Sequence, residues 1–200
     1  MSGNKTTSAI KLSILIPTLP ERYSMFYNVT NNIREQLRSF RLLQSVEILH
    51  DPSESKTIGD KRQALIDRSR GEYVVFIDDD DDITIDYIHE VMKGIESGVD
   101  VVGIIGSYYV DGIYKKPFRH SIGCGTDASG NPYWEDDKQY YRCPNHLNPM
   151  KRSIATQAYF MSSNHGEDTD FAMQLYRKQL LKSEYMIEKP IYKYFYRTKK

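Results

Sequence analysis

The stretch Gly71-Glu72-Tyr73-Val74-Val75-Phe76-Ile77-Asp78-Asp79-Asp80-Asp81-Asp82 runs from an unbroken apolar segment straight into five consecutive aspartates. Tyr73–Ile77 reads as a strand covered on both faces, the pattern of a parallel sheet. Sheet packing does not explain the aspartates, because Asp is a poor strand former and adjacent negative charges repel. Hard divalent cations such as Mg²⁺ and Mn²⁺ take carboxylate oxygens and share their coordination sphere with substrate phosphates. Carboxylates at i and i+2, Asp78 and Asp80, could converge on a metal–diphosphate complex at a strand end. The alternative is a solvated acidic turn, with Asp82 capping the next helix.

Outward from this point, strands alternate with helices. Leu12–Ile16 is a short apolar strand ending at Pro17, and Glu21–Phe40 has helical spacing at Met25, Phe26, Val29, Ile33 and Leu37. Val46–Leu49 is a second strand, followed by the polar loop Asp51–Lys56. A helix is predicted over Ile58–Arg70, stopped by Gly71. After the aspartates, Ile85–Ser97 is predicted as a helix with Ile85, Ile88, Val91, Met92 and Ile95 on one face. Gly98 ends it, and Val99–Ile105 is a fourth strand. This order implies an α/β, Rossmann-like fold: a mostly parallel central sheet with helices on both faces. Ligands of such sheets sit beyond the carboxyl ends of the strands. Pro17, Thr18, Asp51 and Asp78 all fall there, so three loops converge on one crevice.

The second half reads differently. Tyr108–Tyr114 is a hairpin about Asp111-Gly112, Gly123–Pro132 is rich in turn residues, and Tyr133–Tyr141 is an irregular strand pair. Helices are predicted over Pro149–Ala158 and Asp168–Leu181, and Met186–Tyr196, interrupted by Pro190, is predicted as an edge strand. With no linker between them, residues 1–105 and the smaller lobe 106–200 form one domain.

Composition narrows the function. Lys plus Arg and Asp plus Glu each number 27, and this balance argues against a nucleic-acid partner. The two cysteines, Cys124 and Cys143, form no metal-spaced pair or disulfide framework, and whether they bridge stays open. Met1–Ala9 lacks the apolar core of a signal peptide, and no stretch is long and apolar enough to span a bilayer. A soluble, cytoplasmic protein with no transmembrane segment is the expectation. Sixteen tyrosines could line a carbohydrate surface, although strand filling explains them more simply.

The segment from Arg62-Gln63 through Gly71-Glu72-Tyr73 to Asp78-Asp79-Asp80-Asp81 resembles the signature of glycosyltransferase family 2, of the GT-A fold, which runs from A-R-N through G-E-Y into D-x-D-D. Ile14-Leu15-Ile16-Pro17-Thr18 is similar to the family's opening strand, and His50-Asp51-Pro52-Ser53 stands where members carry D-D-G-S. The resemblance implies an inverting, metal-dependent transfer of a hexosyl group from a nucleotide sugar, usually a UDP-sugar, to a glycan or other hydroxyl acceptor. By position, Asp51 would bind the base with Pro17 and Thr18 beside it. Arg62 would help hold the nucleotide, Asp78 or Asp79 would contact the ribose, and Asp80, with Asp78, would hold Mn²⁺ or Mg²⁺. His50 for Asp and Gln63 for Asn depart from the pattern and leave the base preference open. A basic helix face in solvent is the plain alternative for Lys61 and Arg62.

Gly166-Glu167-Asp168-Thr169-Asp170 opens a helical pattern, where acids are favoured by the helix dipole alone. Inverting members of the family carry E-D at this place, and G-E-D matches it. An acceptor hydroxyl must lose its proton as it attacks the anomeric carbon, and a carboxylate within reach serves as general base. Asp168 is assigned that role, with Glu167 as its alternative holder. Negative neighbours at Glu167 and Asp170 would raise the pKa of Asp168. His165, beside the turn, is a candidate metal or phosphate contact, as is His146; a structural histidine is the plainer reading of each. Tyr133 and Trp134 could stack on a sugar, and Lys151 and Arg152 could reach a diphosphate, or serve packing and solvation respectively.

Two other readings are weighed against a transferase. A sugar-nucleotide nucleotidyltransferase would carry a glycine-rich phosphate loop where this chain has Pro17-Thr18-Leu19-Pro20-Glu21-Arg22. A non-catalytic nucleotide- or metal-binding module using the aspartates for calcium is the other, and the spacing here lacks an EF-hand's glycine and closing glutamate. The chain is also compatible with one domain of a longer enzyme.

Overall fold

The computed structural model describes residues 9–198, so Met1–Ser8 and the last two residues lie outside the described residues. Strand β1 (Leu12–Pro17) pairs in parallel with β2 (Val46–Asp51) on one side and with β3 (Tyr73–Phe76) on the other. Every residue of β1 and β3 is buried, as a strand covered on both faces requires. Successive side chains point to opposite faces, and the two cores sort accordingly. Leu12, Ile14, Ile16, Tyr73, Val75 and Ile77 join one core with helices α1 (Tyr23–Ser39) and α3 (Tyr87–Glu96). Leu15, Val74 and Phe76 join the other, with α2 (Ile58–Arg68), α4 (Arg152–Ala155) and α5 (Glu167–Arg177).

The expected fourth strand is β5, which starts at Val101 and runs on to Val110 into the hairpin strand β6 (Ile113–His120). It does not lie against β3. The short β9 (Met150–Lys151) stands between them, antiparallel to both, with Met150 opposite Val74 and Val101. This corrects the helix expected over Pro149–Ala158. Its first residues fill the gap in the sheet, and only Arg152–Ala155 turn into a helix. Buried Asn148 seals the seam beside β9, donating from Nδ2 to the carbonyls of Val102 and His120. Met186–Tyr196 belongs to β10 (Glu184–Tyr196), parallel to β5 with its register broken at Pro190, so one sheet runs through both halves of the chain. Strands β7 (Tyr133–Glu135) and β8 (Tyr140–Arg142) extend it beyond β6.

The acidic run differs from its expected form at its end. Asp82 caps no helix; Asp82–Ile83 form the two-residue strand β4 against β10, where Lys193 donates to Asp82 at 2.8 Å. Ile85, expected on the buried face of α3, is 85 % exposed because the helix begins only at Tyr87. Helix α1 begins at Tyr23 after a 3-10 turn, Pro20–Arg22. Among the described residues no helix is long and apolar enough to cross a membrane.

Helix α2 is fixed firmly at its start. Thr57 caps it in a reciprocal box with Asp60. Its second residue, Gly59, lies so close to the segment 161–163 that a Cβ there would stand 1.9 Å from the Met161 carbonyl oxygen. The Gly59 amide donates to Ser163 at 3.1 Å. A helix starting in the first half of the chain is thereby held against the loop that leads into α5.

Candidate active site

The row of strand ends begins with Asp51 at the end of β2. Its buried carboxylate accepts from Ser53 N at 3.0 Å and Lys56 Nζ at 2.9 Å. Burial opposes the charge, but Ser53 and Lys56 outweigh it and bring the carboxyl down to about 2. Pro17 is its register partner on β1, and the Thr18 amide donates to the Asp51 carbonyl at 3.0 Å. Thr18 Oγ1 donates to Asp79 Oδ2 at 2.6 Å. The alternative of a solvated basic face does not hold for Lys61: it is buried and donates to the Thr18 carbonyl at 2.7 Å.

The five aspartates are turned to separate partners. Asp78 accepts from Arg62 Nη2 at 2.9 Å and 3.2 Å and stands 3.5 Å from His146 Nε2. Asp79 is buried and accepts from Arg22 Nη1 at 3.0 Å, and Asp80 accepts from the same nitrogen at 3.3 Å. Asp81 is buried, accepting from Tyr192 Oη at 2.8 Å and Phe195 N at 2.8 Å. Burial and the neighbouring Asp78 push the Asp81 carboxyl well above its ordinary value, against the Phe195 amide and Tyr192 hydroxyl that tie it to β10. Burial raises Asp80 too, aided by Asp78 and Asp79, while Arg22 opposes the rise. Asp78 is the opposite case: burial would raise it, but Arg62 and His146 hold it far below the usual range.

Arg62 is buried, and its two terminal nitrogens serve Asp78 and Glu167, the first residue of α5. The Phe76 and Phe160 rings lie within 5.9 Å of the guanidinium carbon. Arg62 thus clamps the end of β3 to the start of α5. Arg62, Asp78, Glu167, Asp168 and exposed His165 line one cavity of about 640 Å³. The structure gathers these five predicted site residues there. Pro17, Thr18, Asp51, Asp79 and Asp80 continue along the strand ends outside that lining.

Asp168 Oδ2 accepts from Arg142 Nη2 at 3.2 Å, and its Oδ1 accepts from the Thr169 amide at 2.8 Å. The expectation of a raised pKa is corrected. Burial does oppose ionisation, but His146, Arg142 and Arg62 more than offset it, so the carboxyl titrates below its ordinary value. Lys151 and Arg152 do not face the cavity; Lys151 pairs with Asp100 at 3.0 Å, and Arg152 Nε donates to Ser69 at 3.0 Å.

Several residues of the cavity escaped sequence reasoning. Arg142 on β8 and His120 on β6 arrive through strand pairing, Tyr194 through β10, and nothing local in the sequence marks them. His146, which the sequence did offer as a candidate contact, is buried, with its backbone carbonyl accepting from Phe76 N at 3.0 Å, which carries its ring to Asp78. On the far wall, Trp134 and Tyr141 stack at 4.0 Å, and Trp134 Nε1 donates to the Cys124 carbonyl at 3.0 Å. Arg142 lies 5.8 Å over the Tyr133 ring.

Among the described residues no three His, Cys, Asp or Glu side chains are gathered to hold a metal ion. The donor set therefore does not make a closed protein cage. It does suit a hard ion held by one or two carboxylates and completed by substrate phosphates and water. Asp80 is the better donor of the two, being 27 % exposed and sharing a single cation, whereas Asp78 is taken up by Arg62.

A largely parallel α/β sheet with carboxylates at its strand ends defines the class, the GT-A glycosyltransferase fold. Residues 27–183 match the model described as glycosyl transferase family 2, and the chain belongs to that family. Solved structures similar to it include S. aureus TarS 1–349 in complex with UDP-GlcNAc, at 14 % identity and a TM-score of 0.59, covering 96 % of this chain and 60 % of that one. TarS 1–349 without that ligand matches at 16 % identity and a TM-score of 0.59, covering 93 % and 60 %. Its complex with UDP matches at 14 % identity and 0.58, again covering 93 % and 60 %. These likenesses are of fold, and the chain spans about 60 % of the length of those structures. No curated protein matches the chain.

Proposed function

We propose that this chain transfers a sugar from a nucleotide donor, a UDP-sugar, to a hydroxyl acceptor with inversion, using a divalent ion at Asp80. The carrying observation is the Arg62 clamp, which draws Asp78 at the end of β3 and the Glu167-Asp168 start of α5 to one cavity. Two carboxylate centres are what such a reaction needs: one beside the leaving diphosphate and one beside the attacking hydroxyl. That solved structures of the same fold hold UDP and UDP-GlcNAc supports the choice of donor.

In this reading, Thr18 and Asp51 receive the nucleoside at the ends of β1 and β2. Asp80, and more weakly Asp78, hold Mn²⁺ or Mg²⁺, which when bound neutralises charge on the departing diphosphate. Asp168 takes the proton of the acceptor hydroxyl. Arg142 and the Thr169 amide orient its carboxylate and keep it ionised. Glu167 is a weaker candidate for base, because Arg62 occupies it and it is buried. His165 lies at the turn before α5 rather than at the acidic run, and is retained only as a lesser contact. The acceptor, a glycan or another alcohol, enters along the wall of Tyr133 and Trp134.

The test is calorimetric titration of UDP with and without Mn²⁺, on the parent and on Asp80→Ala, followed by a screen of nucleotide sugars for metal-dependent hydrolysis. Metal-dependent UDP binding that Asp80→Ala abolishes supports the proposal. Equal binding and turnover by that variant would sink it. The configuration of the product's anomeric carbon, read by NMR, decides inversion.

A further inference from the structure

Among the described residues, each aspartate of the acidic run except one has a partner of its own. Asp78 has Arg62, Asp79 has Thr18 as well as Arg22, Asp81 has Tyr192 and the Phe195 amide, and Asp82 has Lys193. Asp80 has a share of Arg22, through the same Nη1 that serves Asp79. The two contacts are unequal. Asp79 is 2 % exposed and its bond to Arg22 is 3.0 Å, whereas Asp80 is 27 % exposed and its contact is 3.3 Å. Arg22 itself is 43 % exposed, on the 3-10 turn Pro20–Arg22 between β1 and α1.

A buried carboxylate such as Asp79 loses heavily without its cation, while a partly hydrated one such as Asp80 loses little. Of the two bonds at Nη1, the one to Asp80 is therefore the one that breaks when a stronger cation arrives. A divalent ion at Asp80 and the Arg22 guanidinium also repel each other, so full occupancy of both is disfavoured.

We infer that Arg22 is the internal counter-ion that Asp80 exchanges for the divalent cation, a positioning residue that steadies the acidic loop until the ion binds. In this exchange the hydrogen bond from Arg22 Nη1 to Asp80 Oδ2 would break and the Asp80 carboxylate would replace one of the ion's waters, with no proton transferred. The bond from Arg22 to Asp79 persists and keeps the turn in place. The inference rests on the proposed metal seat at Asp80 but not on the nucleotide, sugar or base assignments.

The experiment measures Mn²⁺ alone, without nucleotide, by the loss of its free-ion electron paramagnetic resonance signal. Parent, Arg22→Gln, Arg22→Lys and Asp80→Asn proteins are compared. Losing the competing charge should tighten Mn²⁺ binding about tenfold in Arg22→Gln. Arg22→Lys should tighten it less, because the ammonium keeps the positive charge that competes with the ion. Mn²⁺ should also raise the melting temperature of Arg22→Gln more than that of the parent. Unchanged or weaker Mn²⁺ binding by both Arg22 variants, with binding still dependent on Asp80, overturns the role of Arg22 alone. Mn²⁺ binding that survives Asp80→Asn overturns the metal seat, and this inference with it.

Discussion

Arg142 Nη2 stands 3.2 Å from Asp168 Oδ2, so the carboxylate proposed as general base is held by a cation from the end of β8. Burial would raise that group, and His146, Arg142 and Arg62 together outweigh it. With Asp168 below its ordinary pKa, the base is ionised at neutral pH and stays ionised into mild acid. The acid limb of kcat/KM should therefore lie below that of an ordinary carboxylate. Arg142→Gln should move that limb to higher pH, as a pH–rate profile would read. A limb that stays in place in Arg142→Gln would remove Arg142 from this role.

Asp168→Asn keeps the shape of the side chain but cannot accept the acceptor's proton. Turnover should fall by about 10²–10⁴-fold while the dissociation constant for UDP with Mn²⁺ changes little. Comparison of kcat with the calorimetric affinity separates the two. A variant with parental turnover would exclude Asp168 as base and turn attention to Glu167.

Removal of Arg62 would leave two carboxylates facing each other in the interior. Its guanidinium is buried and bonded to Asp78 and Glu167, so Arg62→Ala should destabilise the protein by about 3–5 kcal/mol. Urea unfolding measures this, and Arg62→Lys should recover only part of the loss, because lysine lacks the fork that reaches both. A loss in Arg62→Ala below about 1 kcal/mol would contradict the clamp.

Backbone proximity gives a fourth expectation. A methyl group at Gly59 would meet the Met161 carbonyl at 1.9 Å, and backbone cannot rotate away as a side chain would. Gly59→Ala should cost about 1–3 kcal/mol and disturb the approach of α2 to the loop before α5. Gly166, at φ +79°, sits in the left-handed region where a side chain is strained, so Gly166→Ala should cost about 1 kcal/mol in the same assay.

Asp51 links stability to acid. Its carboxyl lies near 2 when folded, against 3.8 as a free side chain, so the folded state binds its proton less readily than the unfolded one. Its contribution, about 2 kcal/mol, is present above pH ~4 and is lost as pH falls toward 2. Unfolding free energies across that window should show the loss in the parent, and Asp51→Asn should flatten it.

Much of the fold was legible in local patterns. Leu12–Ile16 and Tyr73–Ile77 are apolar without interruption because both faces of a parallel strand are covered, and that alone sets them at the centre. Asp111-Gly112 announced its hairpin by turn chemistry. The failures are tertiary. Pro149–Lys151 has helical composition, yet the gap between β3 and β5 was worth more as hydrogen-bonded sheet than as the first turn of a helix. Ile85 fits the helical stripe but precedes the helix, so its period had no helix to act on.

The sequence by itself determined the chemical inventory: five aspartates at one strand end, a G-E-D turn far along the chain, and the strands that carry the first to an open edge. It could do so because alternation, apolar runs and charge repulsion are local properties. Only the tertiary structure decided how those charges are shared. Arg22, Arg62, Arg142 and Lys193 reach their aspartates across long stretches of chain. A carboxylate's pKa follows the charges and solvent around it, and these are set by packing rather than by neighbours in the chain.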